Sequence, residues 1–428
     1  MWKNDRWKVV VLNIFLALLI IAILGALLYT MLRVRQDTQK YDEQLGELYV
    51  QQQQKQTEAR QESVENIQVE YQKDMDTVKK YLPGIVCWGD TLTQGTSGNI
   101  SYPSVLQTYI DTYFCDIYDF RSTIPNADEF ARLNWDNYKV SVPVVNMGCA
   151  QESTYTVLGR CGAVPYVLSA DVLIPAGCER VEVRLVSDSG RKVRPLVGGG
   201  NGINNVFIGD IEGTLSIDAT SQRLGVYQYY FTRLEPGEET AVNAGTVVRT
   251  AASDLYRDYI HIVWIGTYGS FTSANDLVNQ VKALLARQEV NPERFLVIGV
   301  FGQDGQVYSS AYMDAIDTAM MQAFGNRYVN VRKYLMGDGL ADAGIEPTKK
   351  DIYNINDKRI PDSFKISSDG VELTGKAYTL IGKLIYDRME SLGYFDEVFD
   401  ELSIRETMKQ ILKDDPGYFD RILASRLK

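Results

Sequence analysis

From Val9 to Leu32 the chain reads VVVLNIFLALLIIAILGALLYTML, about 24 residues with one Asn and no charge. As a helix this run is long enough for a hydrocarbon core about 30 Å thick, and it predicts a membrane span. Lys3, Arg6 and Lys8 precede it and Arg33 and Arg35 follow, a bias that places the N-terminus on the cytoplasmic side. The run exceeds a usual signal-peptide core and no A-x-A site closes it, so an uncleaved anchor is expected over a cleaved leader. Residues 34–82 then turn polar, rich in Gln, Glu and Lys, and predict a helical stalk. Its apolar positions, Tyr41, Leu45, Leu48, Ile67, Tyr71, Met75 and Val78, recur at threes and fours, but Gln51 to Gln54 interrupts the seam. The stalk is therefore either a solvated spacer or a coiled coil that makes a homo-oligomer. Pro83-Gly84 ends the helix.

Beyond residue 84 the pattern changes to short β-rich runs alternating with amphipathic stretches, which predicts a parallel sheet covered by helices on both faces. The strand candidates are Ile85–Trp88, Val140–Asn146, Tyr259–Ile265, Phe295–Phe301 and Tyr328–Val331. The helix candidates are Tyr102–Tyr113, Ser153–Arg160, Ala274–Gln288, Ser310–Phe324 and Val371–Leu392. Five strands in this rhythm fit an α/β, flavodoxin-like three-layer sandwich with its ligand site at the carboxyl ends of the strands. Between Gly162 and Thr250 alternating strands (Val181–Leu185, Gly213–Ile217, Tyr227–Phe231) and turns such as Asp188-Ser189-Gly190 replace that rhythm and predict an inserted all-β domain. Gly198-Gly199-Gly200-Asn201-Gly202 lacks the strand-to-helix setting of a phosphate loop and reads as a flexible turn. Past Tyr394 two helical pieces, Val398–Lys413 and Gly417–Leu427, are expected to pack on the sandwich or on a partner. The expected divisions are 1–33 anchor, 34–82 stalk, 83–161 with 251–393 sandwich, 162–250 insert and 394–428 C-terminal extension.

Composition changes this picture little: 45% hydrophobic and 23% charged residues make a globular balance. A formal charge of −11 argues against nucleic acid as a partner, since phosphate binding needs clustered Lys and Arg. The five cysteines, Cys87, Cys115, Cys149, Cys161 and Cys178, are an odd number without C-x-x-C spacing, which leaves no zinc signature. Cys87 and Cys149 fall in or beside core strands as small buried hydrophobes, and Cys161 with Cys178 is the one candidate bridge.

Two blocks carry candidate chemistry: Ile85-Val86-Cys87-Trp88-Gly89-Asp90-Thr91-Leu92, continuing into Ser101-Tyr102-Pro103, and Ser367-Ser368-Asp369-Gly370-Val371-Glu372-Leu373-Thr374. They resemble the first and last sequence blocks of the SGNH/GDSL esterase family, where a strand leads into Gly-Asp-Ser and a late Asp-x-x-His supplies the base. The resemblance places Thr91 at the nucleophile position, Asp369 at the orienting carboxylate and Glu372 at the base. Asn146-Met147-Gly148-Cys149-Ala150-Gln151-Glu152-Ser153 resembles the second block, with Gln151 where the family has its oxyanion glycine. Gly266-Thr267-Tyr268 resembles the third, with Tyr268 replacing the asparagine that donates to the oxyanion. Asp90, Gly148 and Gly266 complete the implied pocket.

The lone histidine, His261, lies five residues before Gly266, and at about 3.3 Å per strand residue that is roughly 16 Å from the strand ends. A hydroxyl, imidazole and carboxylate triad is therefore not expected. Glutamate, with an ordinary pKa of about 4.3, is a weak base for an alcohol. Asp90, Asp369, Glu372 and the Thr91 hydroxyl offer hard oxygen ligands, but Asp90 as a turn cap and Glu372 as a first-turn acid of the last helix are the favoured readings, so no metal and no cofactor is expected. The resemblance implies a membrane-anchored, extracytoplasmic protein that has lost standard esterase chemistry and binds or scaffolds at the cell envelope, with glycan or membrane proteins as partners. The alternative is an active carbohydrate esterase or O-acyltransferase using Thr91.

Overall fold

The computed structural model describes residues 5–95, 100–114, 141–301, 309–367, 370–402 and 405–426. Contacts divide the chain into two units, Met1–Glu70 and Tyr71–Lys428. In the first, every described turn belongs to a single helix, α1 (Asp5–Tyr81), which contains the Val9–Leu32 run without a break and is long and apolar enough there, by length and composition, to cross a membrane. The last turns of α1 belong to the second unit. Val78 is buried there and Tyr71 packs against its core, so these residues of the expected seam are taken up within the same chain. Tyr41, Leu45 and Leu48 stay about two-thirds exposed in the first unit; the side chain of Ile67 lies outside the described residues.

The second unit is built on a parallel sheet. Strands β1 (Ile85–Gly89) and β2 (Val144–Gly148) come first in the chain. Nine short strands follow between Tyr166 and Arg249, and then β12 (Ile260–Trp264), β13 (Phe295–Ile298) and β14 (Tyr328–Val329). The sheet order is β14-β13-β12-β1-β2, all parallel. Counting these five strands alone, that is the order 2-1-3-4-5. The strands are buried on both faces, as their nearly unbroken apolar runs require. Alternate residues point to two separate cores. Ile85, Cys87, Ile260, Ile262 and Trp264 pack on one face against α3 (Tyr102–Phe114) and the late helix Gly375–Ser391. Val86, Trp88, Val263 and Val297 pack on the other, against α4 (Thr154–Arg160), Ala274–Leu285 and Ser310–Phe324.

The intervening strands are β3 (Tyr166–Leu168), β4 (Val172–Ile174), β5 (Val181–Val183), β6 (Leu185–Ser187), β7 (Val206–Ile208), β8 (Ile211–Ile217), β9 (Tyr229–Arg233), β10 (Thr240–Val242) and β11 (Val247–Arg249). Seven form an antiparallel sheet in the order β5-β9-β8-β7-β11-β3-β6, and β4 pairs with β10. The two edge strands, β5 and β6, are separated in the chain by Arg184 alone, so the sheet curls almost into a closed barrel. Expected strand Val181–Leu185 is thus two strands on opposite edges of one sheet. Phe231, Tyr166 and Leu168 belong to the same core as Trp88 and Val263, so the β-region shares the second face of the parallel sheet and has no separate interior.

Several boundaries differ from the sequence expectation for local reasons. The second strand starts at Val144, after Pro143, rather than at Val140, which lies outside the described residues. The last sandwich helix begins at Gly375, because the Thr374 hydroxyl caps the amide of Ala377, and Leu373 is instead bridged to Lys365. Glu372 therefore precedes the helix and is not a first-turn acid of it. Among the described residues the C-terminal extension is three helices, Asp396–Glu401, Arg405–Asp414 and Tyr418–Arg426, and Phe399, Tyr418 and Ile422 pack on the first core. Cys161 and Cys178 are both free thiols, one buried and one exposed, so the candidate bridge is not formed; Cys115 lies outside the described residues.

The shared core makes one outcome testable. Phe231→Ala removes a fully buried ring from β9 and is expected to destabilise the whole second unit by about 3–5 kcal/mol. Near-ultraviolet and far-ultraviolet dichroism should then fall together in denaturant as one transition. A separate early transition for the β-region would show that it folds alone.

Candidate functional site

In an open parallel sheet the crevice for ligands lies beyond the carboxyl ends of the strands, where the chain leaves one strand and its two sequence neighbours depart to opposite sides. Here that point is the end of β1, between β2 and β12. Four loops meet there: Asp90–Gly95 after β1, Cys149–Ser153 after β2, Ile265–Ser270 after β12, and the segment before Gly375.

Asp90 caps α2 (Thr91–Gln94), its Oδ1 accepting the Leu92 amide at 3.0 Å, while its Oδ2 accepts the Thr267 amide at 3.3 Å. The carboxyl is fully buried, and burial pushes its pKa up to about 7 against these two hydrogen bonds. Thr91 is thereby aimed across the sheet end. Its Oγ1 shares a 2.8 Å hydrogen bond with the Tyr268 hydroxyl and accepts the Gln151 amide at 3.0 Å. Three of the positions singled out in the sequence, Thr91, Gln151 and Tyr268, are thus in direct contact. Gln151 has φ +60, the left-handed backbone that glycine adopts freely, so a side chain is carried on a glycine-like turn and the amide keeps its direction.

Close approach fixes the neighbouring loop. A Cβ on Gly148 would lie 2.1 Å from the Gln94 amide nitrogen, which explains glycine at the end of β2. Gly266 ends the turn from β12 toward Thr267 and Tyr268, and the Gly269 carbonyl accepts the Thr154 amide, tying this loop to the start of α4.

Glu372 is exposed and lines an open cleft of about 780 Å³ together with Thr91, Gln94, Ser101, Gln107 and Asn146. It is not hydrogen-bonded to Thr91 among the described contacts. Tyr378, buried on the helix after it, is raised in pKa first by burial and then by electrostatic interaction with Asp90, Glu372 and Tyr268. Asp369 lies outside the described residues. His261 sits inside β12, paired in register with Val86 three residues before the end of β1. Its Nε2 is 3.0 Å from the Tyr256 carbonyl oxygen, its ring packs against Trp88, and burial lowers its pKa to about 4. It is a neutral core residue away from Thr91. Among the described residues no group of three His, Cys, Asp or Glu side chains could hold a metal ion.

Beneath this surface lies a feature the sequence reading passed over. Arg160, at the end of α4, and Glu152 form an ion pair with no solvent exposure on either side chain. The guanidinium bonds both Glu152 oxygens (3.2, 3.0 and 2.7 Å) and also donates to the carbonyls of Met147 (2.8 Å), Gly89 (3.4 Å) and Asn201 (3.1 Å). Burial raises the Glu152 pKa and the guanidinium opposes it; Glu152 in turn holds Arg160 charged against its own burial. Asn201 belongs to the glycine-rich run, which is therefore a packed wall of the site rather than a flexible turn. Its Nδ2 donates to the Asn146 carbonyl at 2.9 Å, and a Cβ on Gly198 would lie 2.0 Å from the Ala150 carbonyl oxygen. A second hollow of about 320 Å³ opens between this run, Gln94 and Asn146. The signal available in the sequence was the acid following Gln151 and an arginine eight residues on, a spacing that by itself names no partner.

Asp90 yields a pH test. Its folded-state pKa lies above the ordinary 3.8, so between about pH 4 and 7 the unfolded chain ionises first and native stability falls as pH rises; above about 7 this contribution is flat. Asp90→Asn is expected to remove that part of the slope in denaturant titrations from pH 4.5 to 8. Superimposable slopes for the two proteins would refute the raised value. Comparison with family models, with curated proteins and with solved structures finds no match for this chain, so the chemistry of the site rests on its own geometry.

Proposed function

We propose that this chain is an SGNH/GDSL-hydrolase-like protein, membrane-anchored through Val9–Leu32, whose extracytoplasmic sandwich binds or scaffolds at the cell envelope and does not carry out standard ester hydrolysis. The strand order 2-1-3-4-5 supports the flavodoxin-like, three-layer reading. The four sequence blocks support the family reading, because their residues Thr91, Gln151, Tyr268 and Glu372 border one crevice at the strand ends. On this reading 83–161 and 251–393 are the sandwich, 162–250 the insert and 34–82 the stalk.

One observation carries the loss of activity: among the described residues the Thr91 oxygen is engaged by the Tyr268 hydroxyl and the Gln151 amide, not by a base. In an acyl-transfer site the amide serves the oxyanion and a base takes the hydroxyl proton. Here the donor is spent on the ground-state hydroxyl, Tyr268 occupies the approach, Glu372 is solvated, and the only imidazole is buried inside β12. The cleft is lined by the polar side chains of Gln94, Ser101, Ser104, Gln107 and Asn146 beside a single acid, a polar surface that supports a sugar-like ligand.

Incubation with a short acyl ester and with a serine-directed phosphonate is expected to give no turnover above the Thr91→Ala protein and no mass increase on Thr91. A labelled Thr91 would overturn the proposal. Combining Thr91→Ser, Gln151→Gly, Tyr268→Asn and Glu372→His is expected to create measurable hydrolysis, since each restored oxyanion position contributes on the order of 3 kcal/mol at the transition state.

A further inference from the structure

In a chain of net charge −11, Arg191, Lys192 and Arg194 gather three cations within four residues, and none of the three has a carboxylate within ion-pair distance among the described residues. They follow β6 on its return hairpin, where Val186 bridges Lys192. Tyrosine rings hold them in place. The Arg191 guanidinium lies 4.8 Å from the Tyr155 ring centre, and the Arg194 guanidinium and the Lys192 ammonium lie 5.0 and 6.0 Å from that of Tyr227. Backbone contacts fix the strip as well: the Arg191 amide donates to Ser187 Oγ and the Arg194 amide to Thr156 Oγ1, on α4. Asp276, the acid whose pKa Arg191 helps to lower, is bonded to the amide and hydroxyl of Thr272.

The strip continues directly into the site. Residues 195–197 lead from Arg194 to Gly198–Asn201, which with Gln94 and Asn146 line the smaller hollow next to the Thr91 cleft. Tyr155 itself stands two residues after Ser153, at the end of the loop that carries Gln151. A flexible polymer lying in the cleft therefore meets the cations within a few units of its length.

We propose that Arg191, Lys192 and Arg194 dock a carboxylate-bearing polysaccharide whose neighbouring sugars extend into the Thr91 cleft. This rests on the glycan reading of that cleft and adds the charge class of the ligand. Planar guanidinium groups pair with carboxylates through parallel N–H donors, and a ring beneath each one limits the rotamer entropy lost on binding. Nucleic acid is the poorer fit, because base stacking needs open aromatic faces and the cations already cover a face of Tyr155 and Tyr227.

The test uses the full chain in neutral-lipid nanodiscs and fluorescein-labelled oligogalacturonate, with its methyl ester as an uncharged copy of the same backbone. The acid form is expected to bind more tightly than the ester, to weaken between 0.05 and 0.5 M salt as an order-of-magnitude effect of about tenfold, and to lose about tenfold or more with Arg191→Gln, Lys192→Gln and Arg194→Gln together. Arg194→Lys, which keeps the charge but loses the planar fork, should give a smaller loss, and thermal melts of each variant check folding. Equal binding of acid and ester, unchanged by the triple variant, overturns the cationic strip while leaving the glycan cleft standing. Binding of neither form overturns both. An oligodeoxynucleotide of equal charge that binds more tightly than the oligouronate, and is weakened by the same variant, replaces the glycan with nucleic acid and also overturns the proposal.

Discussion

The second unit depends on one buried cation. The Arg160 guanidinium offers five N–H donors, and no single carboxylate can satisfy them. Here they are shared among Glu152 and the carbonyls that end β1, β2 and the glycine-rich run. These carbonyls belong to segments far apart in sequence, and each loses its water when the loops close over α4. A buried ion pair is weak support for stability when compared with a hydrophobic substitute, but removing one partner leaves an unpaired charge and is strongly destabilising. Arg160 therefore acts less as half of a pair than as a common donor that links Glu152 to three separate segments, the Gly89 carbonyl accepting the Cys149 amide at 3.1 Å as well.

The chemistry above inherits its geometry from that convergence. Glu152 stands next to Gln151, so fixing Glu152 under the loop holds Gln151 in its left-handed turn and its amide on Thr91 Oγ1. The Arg160 carbonyl accepts the Thr250 hydroxyl at 2.6 Å, which ties the far end of the β-region to the same point. The β-region is consequently built into the site on two sides, through Asn201 and through the core it shares with Trp88. Rigidity of this kind suits a binding surface: donors are held in advance and little order remains to be imposed on the protein when a ligand arrives. It suits ester cleavage less well, because the hydroxyl that would attack is already hydrogen-bonded in its resting position.

The local periodicities made much of this legible. The nearly unbroken apolar runs of β1 and β12, the amphipathic helix Ser310–Phe324, and the polar stretch that follows the apolar span all follow from hydrophobic spacing alone. Placement of Thr91, Gln151 and Tyr268 at one strand edge followed from motif position, since each sits just past a strand of the same parallel sheet. What spacing could not convey was long-range and side-chain specific. Arg160 reaches carbonyls 13, 41 and 71 residues away in sequence, and no pattern along the chain encodes such partners. The glycine-rich run read as slack because glycine allows both mobility and close packing, and only the Ala150 carbonyl pressed against Gly198 decides between them. Five of the nine strands of the β-region escaped notice because three residues are fewer than the roughly four to eight over which alternation can be read. The apolar positions near Val78 were legible as a stripe, but not as a stripe spent on the chain's own core.

A comparison of Arg160→Met, Glu152→Leu and the double substitution, by denaturant unfolding with exchange of the Gln151 amide followed in parallel, tests the role of the shared donor most directly. Both single variants should lose about 3–5 kcal/mol. The double variant should remain destabilised and its Gln151 amide should exchange faster, because the carbonyls of Met147 and Asn201 still lack the Arg160 donor. Recovery of wild-type stability and of slow Gln151 exchange in the double variant would mean that Arg160 serves Glu152 alone, and the account of the site would fail with it.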